Sequence, residues 1–437
     1  MYQNLNEELF SFIEKSPTSF HAIQTIEEYL DEAGCEKLNE GSTWELKEGG
    51  TYYVTRNRSA VIAFHVPCKN FRGFHIAASH SDSPSLKIKE NPEMTVEGQY
   101  VKLNVEKYGG MLCSPWFDRP LSVAGRVIVK DGNKLTTRLV DVKRDILMLP
   151  SLAIHMNRGV NDNGYKYNIQ KDMLPLFRMN DSKTDFKTMI AEEAGVKPEQ
   201  ILGSDLLLYN RMSGTVWGAE NEFISAPRLD DLQCAFSSMK GFLSSRSDRS
   251  VSVFCVMDNE EVGSGTKQGA DSTFLYDTLR RLNYSMGRTE EEYWTAVASS
   301  FMISGDNGHA VHPNYADMTD PTSRPYLNGG IVIKHSANQK YTTDGVSAAV
   351  MRCLCERAGV PYQNFLNRSD MLGGSTLGNI SNSKVSLNTV DIGLPQLAMH
   401  SPYETAGAKD MAYMVKAFEE FYRSSICISE DGCFEIE

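Results

Sequence analysis

Val256–Gly265 reads VMDNEEVGSG and closes an apolar run, VSVFCVM, that begins at Val251. A short β-branched and aromatic run bounded by polar and glycine residues predicts a buried strand. That strand empties into three carboxylates, Asp258, Glu260 and Glu261, two of them adjacent. Neighbours within a strand face opposite sides, so Glu260 and Glu261 cannot share a site from inside one. A strand that ends near Met257 frees both side chains, and Gly263 and Gly265 let the following loop turn tightly. Taken alone, such a loop is equally well a solvated acidic turn.

The same pattern recurs along the chain. FHIAAS runs into HSDSP and places His80 and Asp82 past a strand end. SFMIS runs into GDNGHAVHPNY, carrying Asp306, His309 and His312, and LPQLAM runs into HSPYE, carrying His400. SAPRLDDL sets Asp230 and Asp231 at the entry of a helix. Each has an ordinary reading as a loop histidine, a helix cap or a turn residue. Ligands of open α/β sheets bind at the carboxyl ends of strands, however, and there these groups converge. Two histidines, two aspartates and a glutamate suit zinc, manganese or cobalt, and the absence of cysteine from the set argues against a purely structural zinc. Two divalent cations outweigh the charge of Asp230, Glu261 and Asp306, which explains why carboxylates are crowded together.

The remaining features bound the class. At 437 residues the chain exceeds the usual single-core domain, so two domains are expected. Hydrophobic residues at 41% and charged residues at 23% are ordinary globular values. A net charge of −12 argues against nucleic acid and anionic membrane as partners. The nine cysteines are odd in number and scattered without a CxxC pair, as in a reduced cytoplasmic protein. The amino-terminal MYQNLNEELFSFIEKSPTSF reads as an acidic amphipathic helix and not as a signal peptide. No apolar run is long enough to span a membrane.

Strands and helices alternate in the first hundred residues and again beyond about 225, where LQCAFSSMKGFL, STFLYDTLRRL, VSAAVMRCLCERAG and KDMAYMVKAFEEFYRS read as helices. This predicts an α/β fold with a mixed central sheet covered by helices. The segment between them has short alternating runs such as LSVAGRVIVKDG and KLTTRLVDV, the pattern of a β-rich insertion. The expected division is 1–88 and 224–437 for the two parts of a catalytic domain and 89–223 for the inserted one.

SHSDSP, SPWFDRPLSVAGRV, LAIHMNR, PRLDDL, DNEEVGS, SGDNGHAVHPNY, VIKHSANQKYTT and PQLAMHSPYE follow one another in an order that resembles the aspartyl-aminopeptidase-like M18 metallopeptidases. The resemblance implies a zinc-peptidase type of sheet and makes His80, Asp230, Glu261, Asp306 and His400 the ligands of two divalent ions, with Asp230 bridging. Asp82 would orient His80, and Glu260 would be the general base for a metal-bridged water attacking the scissile carbonyl. His155, His309, Lys334 and Tyr341 would line the substrate pocket, with Lys334 favouring Asp or Glu at the amino terminus of a peptide. The resemblance also implies dimers formed through the inserted domain, assembled into a tetrahedral dodecamer in which His155 reaches a neighbour's site. Asp231, where the family usually has Asn, and the altered SGDNGH and GGMLCSPWFDRP segments depart from the common pattern without removing a ligand. Two other classes share parts of this logic: a metal amidohydrolase or deacetylase of small amides, and a scaffold that has lost catalysis. The large insertion beside DNEEVGS argues against the first, and the complete ligand set against the second.

Overall fold

A computed structural model describes residues 2–437. The strand predicted from VSVFCVM is Val251–Met257, and it runs parallel to Phe74–His80 with Met257 opposite His80. Phe301–Gly305 runs parallel to Phe74–His80 on one side and to Asn388–Gly393 on the other. These four strands form the middle of a nine-stranded mixed sheet, flanked by Glu36–Leu38, Thr51–Arg56 and Ala60–His65 at one end and by Ile331–Lys334 and Tyr362–Phe365 at the other.

The sheet is buried on both faces, so its strands read as continuous apolar runs without alternation. Every residue of Val251–Met257 is buried. Val251, Val253, Cys255 and Met257 pack with Phe274, Leu279, Leu282 and Tyr293 of the helices Phe274–Ser285 and Glu290–Ala298. Phe254 and Val256 face the opposite core, built by the helices Tyr2–Lys15, Ser19–Glu32, Leu229–Ser244, Gly345–Ala358 and Asp410–Arg423. Burying a side chain of the size of Phe254 stabilises by about 1.5–3 kcal/mol.

A second, six-stranded antiparallel sheet is built from Ser85–Val96, Tyr100–Tyr108, Leu121–Asp131, Lys134–Asp141, Leu176–Met179 and Ile201–Asn210. It has its own core, in which Leu103, Val123, Val127 and Leu206 pack against Phe186, Met189 and Ile190 of the helix Phe186–Glu193. A third sheet joins Thr215–Trp217, Phe223–Ala226, Glu404–Gly407, Pro395–Leu397 and Gly308–His309. It ties residues 215–226 to the carboxyl-terminal half through the pairing of Phe223–Ala226 with Glu404–Gly407. Its strands are too short to carry a period, which is why the sequence does not signal it. Among the described residues no helix is long and apolar enough to cross a membrane.

His75 lies wholly buried in the central sheet, stacked on Phe421 with ring centroids 5.2 Å apart, and its Nε2 accepts the Ile426 N–H at 3.3 Å. Burial pushes its imidazole down to about 4 from the usual 6.5. The unfolded chain therefore binds more protons than the folded one between those values. Stability is complete above the unfolded pKa and is lost as pH falls toward the folded one. Denaturant midpoints measured from pH 7 to pH 4 should fall, and His75→Gln should make the fall shallower. An identical slope for the variant would mean that His75 contributes nothing to acid sensitivity.

Candidate metal centre

Strand ends and the opening of the helix Leu229–Ser244 carry their side chains to one place. His80 Nε2 lies 3.4 Å from Asp230 Oδ1, while His400 Nε2 lies 3.4 Å from Asp230 Oδ2 and 3.5 Å from Glu261 Oε1. Asp230 therefore turns one carboxylate oxygen toward each imidazole. Ligand atoms of Asp230, Glu261 and His400 lie within 4.8 Å of one another, as do those of His80, Asp230, Asp231 and Asp306, and those of His80, Glu260 and Glu261. His80, Asp230, Asp231 and Asp306 are buried, and His400 is half-buried.

Local geometry explains how each side chain arrives. Asp230 and Asp231 open the helix Leu229–Ser244 with non-helical φ/ψ of −82°, 108° and −119°, 20°, so neither is an ordinary cap. Asp231 Oδ2 accepts the His80 N–H at 3.2 Å. Glu260–Val262 forms a single 3-10 turn between Asn259 at φ 62° and Gly263 at φ 93°. That turn, and not a strand, lets the adjacent glutamates face one cluster. Asp82 holds it in place: its Oδ1 accepts the Glu260 N–H at 3.1 Å, and its Oδ2 accepts the Glu261 N–H at 3.2 Å and the Tyr108 hydroxyl at 2.7 Å. The chain passes closely here, since a Cβ on Gly109, at φ 74°, would lie 3.1 Å from that of Glu261.

Both imidazoles are oriented by main-chain carbonyls. His80 Nδ1 is 3.0 Å from its neighbour Asp82 O and 3.5 Å from Asp82 Oδ1, and His400 Nδ1 meets Gly110 O. A proton on each Nδ1 leaves the Nε2 lone pair facing the carboxylates, as a ligating histidine requires. Asp230 Oδ1 and Glu261 Oε1 are buried with no hydrogen-bond partner. Orphaned buried carboxylate oxygens are costly unless something else satisfies them. Burial, with Asp306, Asp82 and Asp230 adding to it, pushes Glu260 up to about 8, and burial followed by Asp230 raises Glu261. Against its burial, Asp230 is held low by His400 and His80. Nitrogen and oxygen donors without sulfur, two oxygens lacking partners and mutually opposed carboxylates all fit a divalent cation such as zinc.

Lys334, His309 and Tyr341 form a connected group beside Asp306. Lys334 is buried; its Nζ donates to Asn307 O at 2.9 Å and sits 3.5 Å from Asp306 Oδ2 and 5.6 Å from the Tyr341 ring centroid. His309 packs edge-on against Phe365 at 4.7 Å, and its Nε2 lies 3.3 Å from Asn367 Oδ1, whose amide donates to the Tyr341 hydroxyl at 3.5 Å. His155 stands apart from all of these. It is exposed on the turn Ile154–Met156 and belongs to none of the clusters. Tyr108, Asn307 and Glu404 support the site although the sequence reading assigned them nothing. Glu404 stood within HSPYE with its partner His400, but its other main-chain partner, Asp230, lies in a distant segment.

An α/β sheet with such a cluster at its strand ends belongs to the metal-dependent hydrolases, and comparison with known proteins specifies which. The family described as Aminopeptidase I zinc metalloprotease (M18) matches residues 12–422. The "Probable M18 family aminopeptidase 2" of Clostridium acetobutylicum is 47% identical over 424 residues, covering 95% of this chain and 98% of that protein. A cryo-EM structure of the Ape4 and Nbr1 complex contains a chain that superposes with a TM-score of 0.92 at 33% identity, over 96% of this chain and 86% of that one. The structure of the S. cerevisiae mApe1 dodecamer matches with a TM-score of 0.84 at 29% identity, over 96% and 97% of the two chains. The chain belongs to the M18 family and is a metalloaminopeptidase.

Proposed function

We propose that the chain holds two divalent cations, zinc in the first instance with manganese and cobalt accepted by the same donors, and releases acidic amino-terminal residues from peptides. The observation that carries the two-cation reading is Asp230, with Oδ1 toward His80 and Oδ2 toward His400. His80, Asp230 and Asp306 would hold one ion, and Asp230, Glu261 and His400 the other. When bound, the ions supply Lewis acidity to the attacking water and the scissile carbonyl. Glu260 takes the proton from that water and returns it to the departing amine. Its place in one cluster with His80 and Glu261 supports that role. Asp82 fixes the turn that carries Glu260 and Glu261.

Acidic preference rests on Lys334. An ammonium has three N–H donors. Asn307 O takes one and Asp306 draws another, which leaves one for a substrate carboxylate. Such a charge-assisted bond is closed to a neutral side chain. His309 and Tyr341 would shape the same pocket.

Assembly is part of the proposal. The inserted segment, 89–223, would form dimers that build a tetrahedral dodecamer, in keeping with the dodecameric yeast relative. Around His155, Leu152, Ile154 and Met156 are 54%, 47% and 74% exposed, an apolar patch of the kind that marks an interface. His155 would then serve a neighbouring subunit's site as an oxyanion donor. A cytoplasmic setting fits the nine cysteines, all unpaired.

Glu260→Gln should lower turnover by about 10²–10⁴-fold while metal content, read by elemental analysis, stays at the wild-type value. Retention of most of the activity would place the base elsewhere. Lys334→Met, compared at equal metal content, should raise the rate on Leu relative to Asp substrates; equal losses on both would show that Lys334 does not select. Mixing inactive His155→Ala with inactive Glu260→Gln should restore activity as subunits exchange. Exchange without recovery would confine His155 to its own chain or remove it from catalysis.

A further inference from the structure

Glu404 begins the Glu404–Gly407 strand and is 2% exposed. Its carboxylate is spent on the main chain of two cluster residues, His400 four positions before it and the distant Asp230. Oε2 accepts the Asp230 N–H at 3.0 Å, and Oε1 accepts the His400 N–H at 2.7 Å. Gln396 Nε2 also donates to Oε1 at 3.4 Å, and Gln396 Oε1 accepts from Asn307 Nδ2 at 2.9 Å. Asn307 follows Asp306 and is itself buried. Three ligand-bearing loops are thus connected through one carboxylate.

His400 gives a second, independent reason to look here. It has φ 64°, in the left-handed region that residues with a Cβ avoid. Such a conformation persists only where its surroundings over-determine it, and it clusters at functional sites. The bond from the His400 amide to Glu404 holds that backbone while the imidazole stretches from Gly110 O on one side to Asp230 and Glu261 on the other.

We infer that Glu404 is a positioning residue that fixes the separation of Asp230 and His400, and so tunes the affinity of the ion held by Asp230, Glu261 and His400. The inference rests on the two-cation reading above. A glutamine at 404 has one carbonyl oxygen and one amide. Its N–H groups would confront either the Asp230 or the His400 N–H, donor against donor, and one of the two loops would be released. Loss of a group that orients a metal ligand typically weakens metal binding by about 10–100-fold.

The test uses metal-free full-length protein titrated with Co(II) and followed by its visible absorption and by calorimetry. Wild type should take up two ions. Glu404→Gln should bind one of them about 10–100-fold more weakly, with an altered Co(II) spectrum for that ion. In parallel, hydrogen exchange on metal-free wild type needs no variant to fold: the Asp230 and His400 amides should be protected before any metal is added. Wild-type affinities and spectrum in Glu404→Gln would overturn the inference, as would amides that become protected only when metal binds. Wild type that takes up a single ion would refute the two-cation reading instead, and the amide exchange would then decide the role of Glu404 by itself.

Discussion

Everything in the site is arranged around Asp230, a buried carboxylate with an imidazole on each side. Its two oxygens meet His80 and His400 at equal distances of 3.4 Å, and Oδ1 finds no hydrogen bond within the chain. A carboxylate taken out of water this completely is tolerated only when opposite charge compensates it. Asp231, Glu260, Glu261 and Asp306 crowd into the same volume and add to the repulsion. The fold therefore gathers negative charge in one buried place, which fits a metal centre of the kind the zinc metalloprotease family describes.

The sheet makes such crowding possible without disorder. Parallel strands with Met257 opposite His80 and Gly305 opposite Ile392 end at a common edge, so residues just beyond them must meet. Main-chain groups then complete the orientation, with Asp82 O and Gly110 O each taking an imidazole Nδ1. The second sheet takes part within the same chain. Tyr108, at the end of Tyr100–Tyr108, donates to Asp82, and the Leu112 N–H donates to His400 O. The six-stranded sheet is thus a wall of the site as well as a separate core.

Lys334 extends the cluster beyond its carboxylates and imidazoles. Its ammonium faces Asp306, a member of the metal cluster, and lies over the ring of Tyr341. Burial lowers its pKa, but Asp306, Tyr341, Asp391 and Asp230 together more than offset this, so it stays charged with a pKa above the ordinary lysine value. A cation in that position is coupled to the metal cluster through Asp306.

The central strands were legible in the sequence because burial on both faces leaves unbroken apolar runs. Glu260, Glu261 and Asp306 were legible because each stands just past such a run, and His80 because it ends one. The 3-10 turn at Glu260–Val262 was foreshadowed by the impossibility of two neighbouring strand residues sharing a face, and by the glycine at 263. The five-stranded sheet was hidden, since a strand such as Gly308–His309 has no periodicity to read. Tyr108, Asn307 and Glu404 were hidden for another reason: what they do depends on hydrogen bonds, most of them to atoms remote in the chain, and a hydrogen bond leaves no spacing in a sequence. Residue type and order by themselves determined which groups could ligate a metal and that several of them lie at strand ends. Only the tertiary structure decided that Asp230 divides its oxygens between two histidines and that Glu404 anchors both loops. Those facts are fixed by distances of a few ångströms between segments far apart in the sequence, and such distances exist only once the sheets have packed.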